Sequence, residues 1–387
     1  MSHAKGSPPE DRIRAGDPTR AGTRDVTPAV GTRGEPGRYR RAFEGAKVAL
    51  AKPRWGDARW SYLYDKGTHY TATPSANDKI AEAARRMREG EEVPEVQGPI
   101  IRPAVWTWEV PLYFWFGGIA TGSSFVAMAC DAAGDHHSAT IARRITLAAV
   151  GPCAPLLVMD LGRPTRFLNM MRIFKPRSPM SMGAWCLSAF SGAAFGAVAL
   201  DLLDRPRLAR LAGVQTAVLG TYLGSYTGVL LASTAVPVWA RSRLFLGPIF
   251  IATATAKGAA VNRLVLAATG LPSGHPTRNA LGTIETLAMT AELTLSSLNE
   301  KRLGRLARSL EEGRPGKLFQ AAKWMIRVGL ALRFARSRGG PWVHHLASVL
   351  FLLAGLCFRF AWVGSGRTSA LDHEAVARMH RTEKRTT

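Results

Sequence analysis

The sequence predicts an all-α protein, a polytopic bundle of transmembrane helices. Apolar runs of roughly 20 residues recur between residues 106 and 363, and each is long enough to span the ~30 Å hydrocarbon core of a membrane. The mean hydropathy of −0.01 is near zero only because a polar first quarter offsets this apolar remainder. Most Lys and Arg residues lie in short loops between the runs, where they orient the chain and contact anionic lipid headgroups.

The strongly basic balance, a formal net charge of +23 over 387 residues, does not indicate a nucleic-acid-binding protein. No stripe of Lys and Arg interleaved with aromatic residues occurs on a soluble domain. We therefore expect membrane lipid, and no nucleic acid, among the partners of the basic loops.

The first 105 residues predict two segments outside the membrane. Residues 1–52 are rich in Gly, Pro, Arg and Asp, so they bury too little apolar surface to fold and form a disordered basic tail. Residues 53–105 are aromatic-rich, with a short helix after Asn77, and form a peripheral segment too small to fold alone. No apolar core follows the first basic residues, so no signal peptide is expected and the amino terminus is placed in the cytoplasm.

The membrane domain is predicted over residues 106–365, followed by a basic tail at 366–387. Its first span runs from residue 103 to 130, with Pro111 in the first turn, aromatic residues at the interface and a glycine- and serine-rich face for close helix packing. Residues 318–334 favour either a further span with inward polar groups or an amphipathic helix on the membrane surface. The other spans are residues 141–161, 180–203, 211–236, 244–271, 280–298 and 342–363.

Four ionisable residues fall inside predicted spans. Lys257 and Arg263 lie in the fifth span, and Glu285 and Glu292 lie seven residues apart on one face of the sixth. Such groups should face the bundle interior and pair with one another, so we expect Arg263 to pair with Glu285 or Glu292. They form either a structural ion pair or part of a proton path, and the sequence leaves both open.

The second span ends at an acidic residue followed by a basic loop. The helix cannot continue through Gly162 and Pro164, so Asp160 lies just inside the membrane edge with Arg163 one turn away. The pair is either a salt bridge that fixes the loop or part of a docking platform beside a ligand site. The distribution of loop charges places this loop on the cytoplasmic side.

Histidine and cysteine usage argues against a metal cofactor in this chain. The histidines of the membrane domain lie in loops or at helix ends, whereas haem iron in a membrane cytochrome needs histidines deep on facing helices. The four cysteines form no CxxC pair and are expected to be packed thiols. No phosphate-binding glycine loop or nucleophile motif occurs, so we expect no self-contained catalytic site and no haem, iron–sulfur or other metal site.

Four motifs occur in order along the first half of the membrane domain. They are Trp106-x-Trp-Glu-Val-Pro-x-Tyr113, Asp160-Leu-Gly-Arg-Pro, Ser178-Pro-Met-Ser-Met-Gly-Ala-Trp185 and Ser225-Tyr-Thr-Gly-Val-Leu-Leu231. Over about residues 100–248 the chain therefore resembles the NrfD/PsrC type of polysulphide reductase membrane subunit. The resemblance implies about eight helices in two bundles and a quinone as cofactor, with menaquinone the expected type. It also implies an iron–sulfur subunit and a molybdopterin catalytic subunit as partners, in an anaerobic electron-transport complex of the plasma membrane.

The resemblance also implies which residues bind the quinone. Tyr226 matches the tyrosine of the fourth helix that lies at the quinone headgroup, and Tyr113 takes the place of a polar residue on the first helix. Some members carry an Asn–His pair on that helix, and Val110 and Tyr113 stand there in this chain, which changes the hydrogen bonding. The expected set is completed by Trp108, Glu109, Asp160 and Arg163.

Two other functions remain open from the residues alone. Lys257, Arg263, Glu285 and Glu292 would suit a proton- or ion-translocating membrane protein. A purely structural membrane tether would need no ligand site. The resemblance favours a quinone-reactive subunit that passes electrons between quinol and an iron–sulfur partner and is not an enzyme by itself.

Overall fold

The structure is a computed structural model that describes residues 101, 103–104, 106–160, 167–334 and 341–372. The predicted tail at residues 1–52, nearly all of the peripheral segment at 53–105, most of the tail at 366–387, and Arg163 lie outside the described residues. Within those ranges the secondary structure is helical, with no strand.

Twelve α-helices make up this part of the chain, and a short 3-10 turn, Gly304–Ala307, joins two of them. Proline occupies the first turn of several, where its missing N–H costs no hydrogen bond. The helices are α1 Glu109–Ala132, α2 His136–Val150, α3 Cys153–Asp160, α4 Phe167–Arg172, α5 Pro179–Leu202, α6 Pro206–Ala232, α7 Pro237–Arg241, α8 Arg243–Ala268, α9 Pro276–Leu303, α10 Arg308–Glu311, α11 Gly313–Phe334 and α12 Pro341–Ala370.

Five segments are long and apolar enough to cross a membrane, which confirms the predicted polytopic membrane bundle. Helices α6, α9 and α11 are of comparable length but less apolar, and they pack into the same bundle. The five apolar segments and these three helices make eight long segments, which is the number that the sequence predicted. The five segments are α1, His136–Asp160 (α2 with α3), α5, α8 and Trp342–Ala370.

The boundaries of the second segment differ from the prediction for a local reason. The helix begins at His136, five residues before the predicted start, because the Asp135 side chain accepts a hydrogen bond from the Ser138 N–H at 3.0 Å and caps it. Asp135 also accepts a hydrogen bond from Thr277 Oγ1 at 2.5 Å. Burial alone would raise the pKa of Asp135, but these hydrogen bonds hold it below its ordinary value.

Helix α11 resolves the alternative left open for residues 318–334. It runs antiparallel to α12 along its length: the Phe319 ring stacks on Phe358 with centroids 5.4 Å apart, and Arg333 Nη2 lies 2.9 Å from Ser348 Oγ. The two contacts lie ten residues, about 15 Å, apart along α12, and a helix lying across the membrane surface could not make both. Helix α11 is therefore part of the bundle.

The long helices pack as two groups of four that meet along α1 and α8. Helices α1, α2–α3, α5 and α6 form the first bundle, and α8, α9, α11 and α12 form the second. At the α1–α8 contact a Cβ on Gly122 would lie 2.1 Å from Ala254 O, and one on Gly258 would lie 2.1 Å from Gly122 C. The small-residue face predicted on the first span thus allows main chain to pack directly against main chain.

A buried ion cluster ties the first bundle together at one end. Arg143 donates to both carboxylate oxygens of Asp201, from Nε at 2.6 Å and from Nη2 at 2.9 Å. Its Nη1 donates to Asp131 Oδ2 at 2.5 Å. Helices α1, α2 and α5 are therefore joined by one guanidinium group between two carboxylates.

Candidate functional site

Most of the residues predicted to bind quinone lie at one end of the first bundle. We call this end, which contains Glu109 at the start of α1, the amino-terminal rim. Because successive spans run in opposite directions, α3 ends at this rim with Asp160 and α6 ends there with Ala232. Tyr113 is one turn into α1, and Tyr226 is six residues before the end of α6, so Tyr113, Asp160 and Tyr226 share this rim.

Tyr226 lies in a groove on α5 that is open because residue 183 is a glycine. It is 4% exposed, and a Cβ on Gly183 of α5 would lie 2.1 Å from its Cζ and Oη atoms. On its other face the ring stacks on Tyr222, with centroids 5.6 Å apart and an interplanar angle of 22°. Tyr222 is 40% exposed, so it separates the buried Tyr226 from the outside of the bundle.

Tyr113 approaches the same place from the first helix. It is 3% exposed, and its phenol is close enough to interact electrostatically with Tyr226 and with the thiols of Cys153 and Cys186. Gly117 lies beside both groups, since a Cβ on it would be in ordinary contact, at 3.9 Å, with Cys153 Sγ and with the Tyr113 ring. The fold thus brings together two phenols that are more than a hundred residues apart in the sequence.

The start of α1 adds two polar groups at this rim. Glu109 is 1% exposed, lies one turn before Tyr113 on the same helix face, and accepts a hydrogen bond from the Thr107 hydroxyl. Trp108 is half-buried, and its indole Nε1 is a buried donor that finds no acceptor in the described protein. Asp160 is half-buried at the end of α3, and its predicted pairing with Arg163 stays a prediction.

Sequence reasoning missed four residues of this site. Gly183 lies within the quoted Ser178-to-Trp185 motif, but nothing in a motif shows that its missing Cβ accommodates Tyr226. Tyr222 lies one turn before Tyr226, which places both on one helix face and could have indicated the stack. Cys153 and Cys186 were predicted only as packed thiols, and no spacing rule connects them to Tyr113.

Of the other predicted ionisable residues, Arg263, Glu285 and Glu292 lie inside the second bundle, and Lys257 lies where that bundle meets the first. The prediction that Arg263 pairs with Glu285 or Glu292 was wrong for both glutamates. Glu285 forms its ion pair with Arg333 of α11 and also accepts from Ser348 Oγ at 2.9 Å. Glu292 accepts from Ser296 Oγ at 2.8 Å. Arg263 instead donates to His344 O at 2.9 Å and to Ser348 Oγ at 3.3 Å. Arg263 is therefore linked to Glu285 only through the Ser348 hydroxyl, which hydrogen-bonds to both. The Arg333 guanidinium lies nearer to Glu285 because α11 packs into the bundle.

Lys257 lies at the joint between the two bundles. It is fully buried, and its Nζ donates to main-chain oxygens of α1, to Trp115 O at 3.1 Å and to Phe114 O at 3.5 Å. Gly118 makes room for it, since a Cβ there would lie 2.4 Å from Nζ. The lysine thus fixes α8 against α1 and lies apart from Glu285.

A comparison with known proteins shows which family the chain belongs to. The model of the family described as polysulphide reductase, NrfD, matches residues 100–366. The chain belongs to the NrfD polysulphide reductase family. The match covers both bundles, beyond residues 100–248 on which the motifs rested, and no curated protein matches the chain. This NrfD family member is a multi-pass membrane protein with its tyrosine pair at one rim.

Proposed function

We propose that this NrfD family member is the quinone-reactive membrane subunit of a multisubunit oxidoreductase. The observation that carries the proposal is the convergence of Tyr226 and Tyr113, both almost fully buried, at one rim of the bundle. Buried phenols at the membrane edge offer hydrogen-bond donors to a ligand that arrives from lipid.

The residues present fit a quinone headgroup. Its carbonyl oxygens need donors, and Tyr226 and Tyr113 carry phenol O–H groups while the Trp108 indole N–H has no other acceptor among described residues. The Tyr222 ring, exposed beside Tyr226, provides an apolar surface on the lipid side over which the headgroup reaches the inner phenol. The isoprenoid tail would remain among the exposed apolar side chains of α5 and α6.

A bound quinone supplies two-electron, two-proton chemistry, and this chain supplies positions for the protons. Tyr226 and Tyr113 orient the headgroup through its oxygens. Glu109 and Asp160 are carboxyl groups at the same rim, and each can hold a proton that leaves the site. The closely packed Gly183 and the Tyr222 ring exclude water from the Tyr226 phenol.

Electrons would pass between this site and an iron–sulfur subunit docked at the amino-terminal rim, with a molybdopterin catalytic subunit beyond it. The loop between α4 and α5 supports this docking, because Ile173 and Phe174 are 61% and 54% exposed beside the cationic Lys175 and Arg177. An apolar and basic surface of this kind suits a protein partner. We propose menaquinone as the quinone and the plasma membrane of an anaerobically respiring cell as the setting, with this rim on the cytoplasmic side.

Replacing Tyr226 with phenylalanine in the assembled complex tests the proposal. The ring and its stack on Tyr222 remain, and the hydrogen-bonding hydroxyl is lost, so we expect quinone-dependent turnover to fall about tenfold or more. Steady-state kinetics with a soluble quinol analogue would measure it. Turnover of the catalytic subunit with an artificial electron carrier should stay unchanged, and Tyr222→Phe is the matched control. Equal quinone kinetics for Tyr226→Phe and the unmodified complex would contradict the proposed site.

Replacing Gly183 with alanine tests the same site by crowding it. The added Cβ would lie 2.1 Å from the Tyr226 phenol, so the ring must move away from α5. We expect a loss of quinone-dependent turnover at least as large as that of Tyr226→Phe. Gly196→Ala in the same helix is the control, because a Cβ there has no neighbour within 4 Å. A Gly183→Ala complex with normal quinone kinetics would show that the position of Tyr226 does not matter.

A proton- or ion-translocating function is the second candidate, favoured by the fully buried Lys257, Glu285 and Glu292. Proton flux through the purified chain alone in liposomes would support it over the quinone proposal. Quinone that copurifies with the chain would exclude a purely structural tether.

A further inference from the structure

The interior of the second bundle contains several buried polar atoms that have no hydrogen-bond partner among the residues that the structure describes. On α9 they are Glu292 Oε2 and Asn299 Oδ1, and on α12 they are Arg359 Nε and Nη1 and Trp362 Nε1. All four residues are at most 1% exposed. Helix α9 packs mainly on α8 and α12 mainly on α11, so α9 and α12 occupy opposite corners with the bundle axis between them.

These atoms are arranged by depth. Glu292 and Arg359 each lie eleven residues before the end of their helix, about 16 Å from the amino-terminal rim. Trp362 lies about 12 Å from it and Asn299 about 6 Å. The row therefore leads from the middle of the membrane to the rim, where the ion pair between Lys323 and Glu300, at 2.7 Å, is partly exposed.

Glu292 and Arg359 lie at the same depth on α9 and α12 but form no direct ion pair. Glu292 Oε1 accepts from Ser296 Oγ at 2.8 Å, which leaves Oε2 without a partner. Arg359 Nη2 donates to Phe250 O at 3.1 Å, and its guanidinium lies 3.5 Å from the centre of the Phe250 ring. The Nε and Nη1 atoms of Arg359 likewise have no partner among the described residues.

Unpaired buried polar atoms are costly, about 1–3 kcal/mol each and more for charged groups. Buried water relieves this cost where it can make about three hydrogen bonds to such groups. Donors on α12 and acceptors on α9 are spread over the same part of the axis, about 16 to 6 Å from the rim, so water molecules between the two helices can hydrogen-bond to both. Apolar packing would leave each of these atoms unsatisfied.

We propose that a file of water molecules follows the axis of the second bundle from the amino-terminal rim to Glu292, and that Glu292 is the inner proton acceptor of this half-channel. A hydronium in the file transfers its proton to the carboxylate, which gives a carboxylic acid and a water molecule. Met289, fully buried one turn before Glu292, closes the file toward the separate Glu285–Arg333 pair. This inference does not rest on quinone binding.

The charged groups that face Glu292 fit this role. Arg359 of α12 and Lys323 of α11 are cationic, and Glu300 lies two turns nearer the rim on α9. Lys257 of α8 lies beyond Arg359 and interacts with it. The two cations offset the negative charge of the carboxylate that receives the proton.

Radiolytic labelling of the full chain in its complex tests the file directly. Hydroxyl radicals made from bound water by an X-ray pulse oxidise side chains next to that water. We expect Trp362 to be oxidised and Trp239 to be protected, although both are fully buried, because the Trp239 indole N–H already donates to Trp362 O at 2.8 Å. Equal protection of the two tryptophans would overturn the proposal.

Two variants of Glu292 test whether water reaches the inner end of the file. Glu292→Leu should reduce the labelling of Trp362 several-fold, while Glu292→Gln, which keeps the polar atoms, should retain it. In infrared spectra the carboxylic acid band of Glu292 should shift when H2O is replaced by D2O and be absent from Glu292→Gln. A Glu292 band that fails to shift would show that no water reaches the residue. If Glu292→Leu does not fold, the comparison of the two tryptophans and the infrared test still decide.

Discussion

Replacing Arg143 with leucine is expected to lower the free energy of unfolding by about 3–5 kcal/mol, the cost of removing one partner from a buried ion pair. The guanidinium is 5% exposed and bridges Asp131 and Asp201, whose side chains are 9% and 8% exposed. Without it, two carboxylates face each other with little water between helices α1, α2 and α5. Removing a single surface charge has no comparable effect.

Unfolding of the purified chain in detergent micelles by a chemical denaturant would measure this loss. Arg144→Leu is the matched control, because Arg144 is the next residue and is exposed. Adding Asp131→Asn and Asp201→Asn to Arg143→Leu should recover much of the stability, since the uncompensated charges are then gone. If Arg143→Leu and Arg144→Leu unfold at the same denaturant concentration, the ion cluster does not hold the bundle together.

The spans were predictable because transfer into a membrane depends mainly on local apolar content. Six predicted spans and the final one coincide with long helical segments, and their ends differ from the predicted ones by at most about seven residues. The fourth span starts at Pro206, before the predicted Leu211, since proline suits the first turn of a helix even when arginines follow it. The 318–334 segment stayed ambiguous because three cations in one short helix are compatible with a surface or a buried position.

Which charged side chains pair with one another was much less predictable from the sequence. The sequence showed that Glu285 needs a cation, but Arg263 and Arg333 are equally basic, and the rotation of α8 and α11 decides which one reaches it. The site shows the same limit. Tyr226 could be located from a motif, whereas the groove at Gly183 depends on how closely two helices approach.

The distance between two backbones also determines the stability of a second variant, which changes the contact between α1 and α8 where the two bundles meet. We expect Gly122→Ala to lower the free energy of unfolding by about 3 kcal/mol, at the upper end of the usual cost of overpacking. The new Cβ would lie 2.1 Å from Ala254 O and 2.9 Å from Gly258 Cα. These are main-chain atoms, so no side chain can rotate away and α1 must separate from α8.

The separation should also weaken the hydrogen bonds from Lys257 to α1, because that lysine is the neighbour of Gly258 and reaches across the same contact. Gly192→Ala is the control: a Cβ there meets nothing within 4 Å, and alanine favours a helix over glycine by up to about 1 kcal/mol. Denaturant unfolding of the two variants in one detergent should therefore move in opposite directions. A Gly122→Ala chain as stable as Gly192→Ala would mean that the bundles do not depend on this backbone contact. Because Gly122 and Gly258 face each other, the double alanine variant should cost less than the sum of the two single changes, since the first already separates the helices.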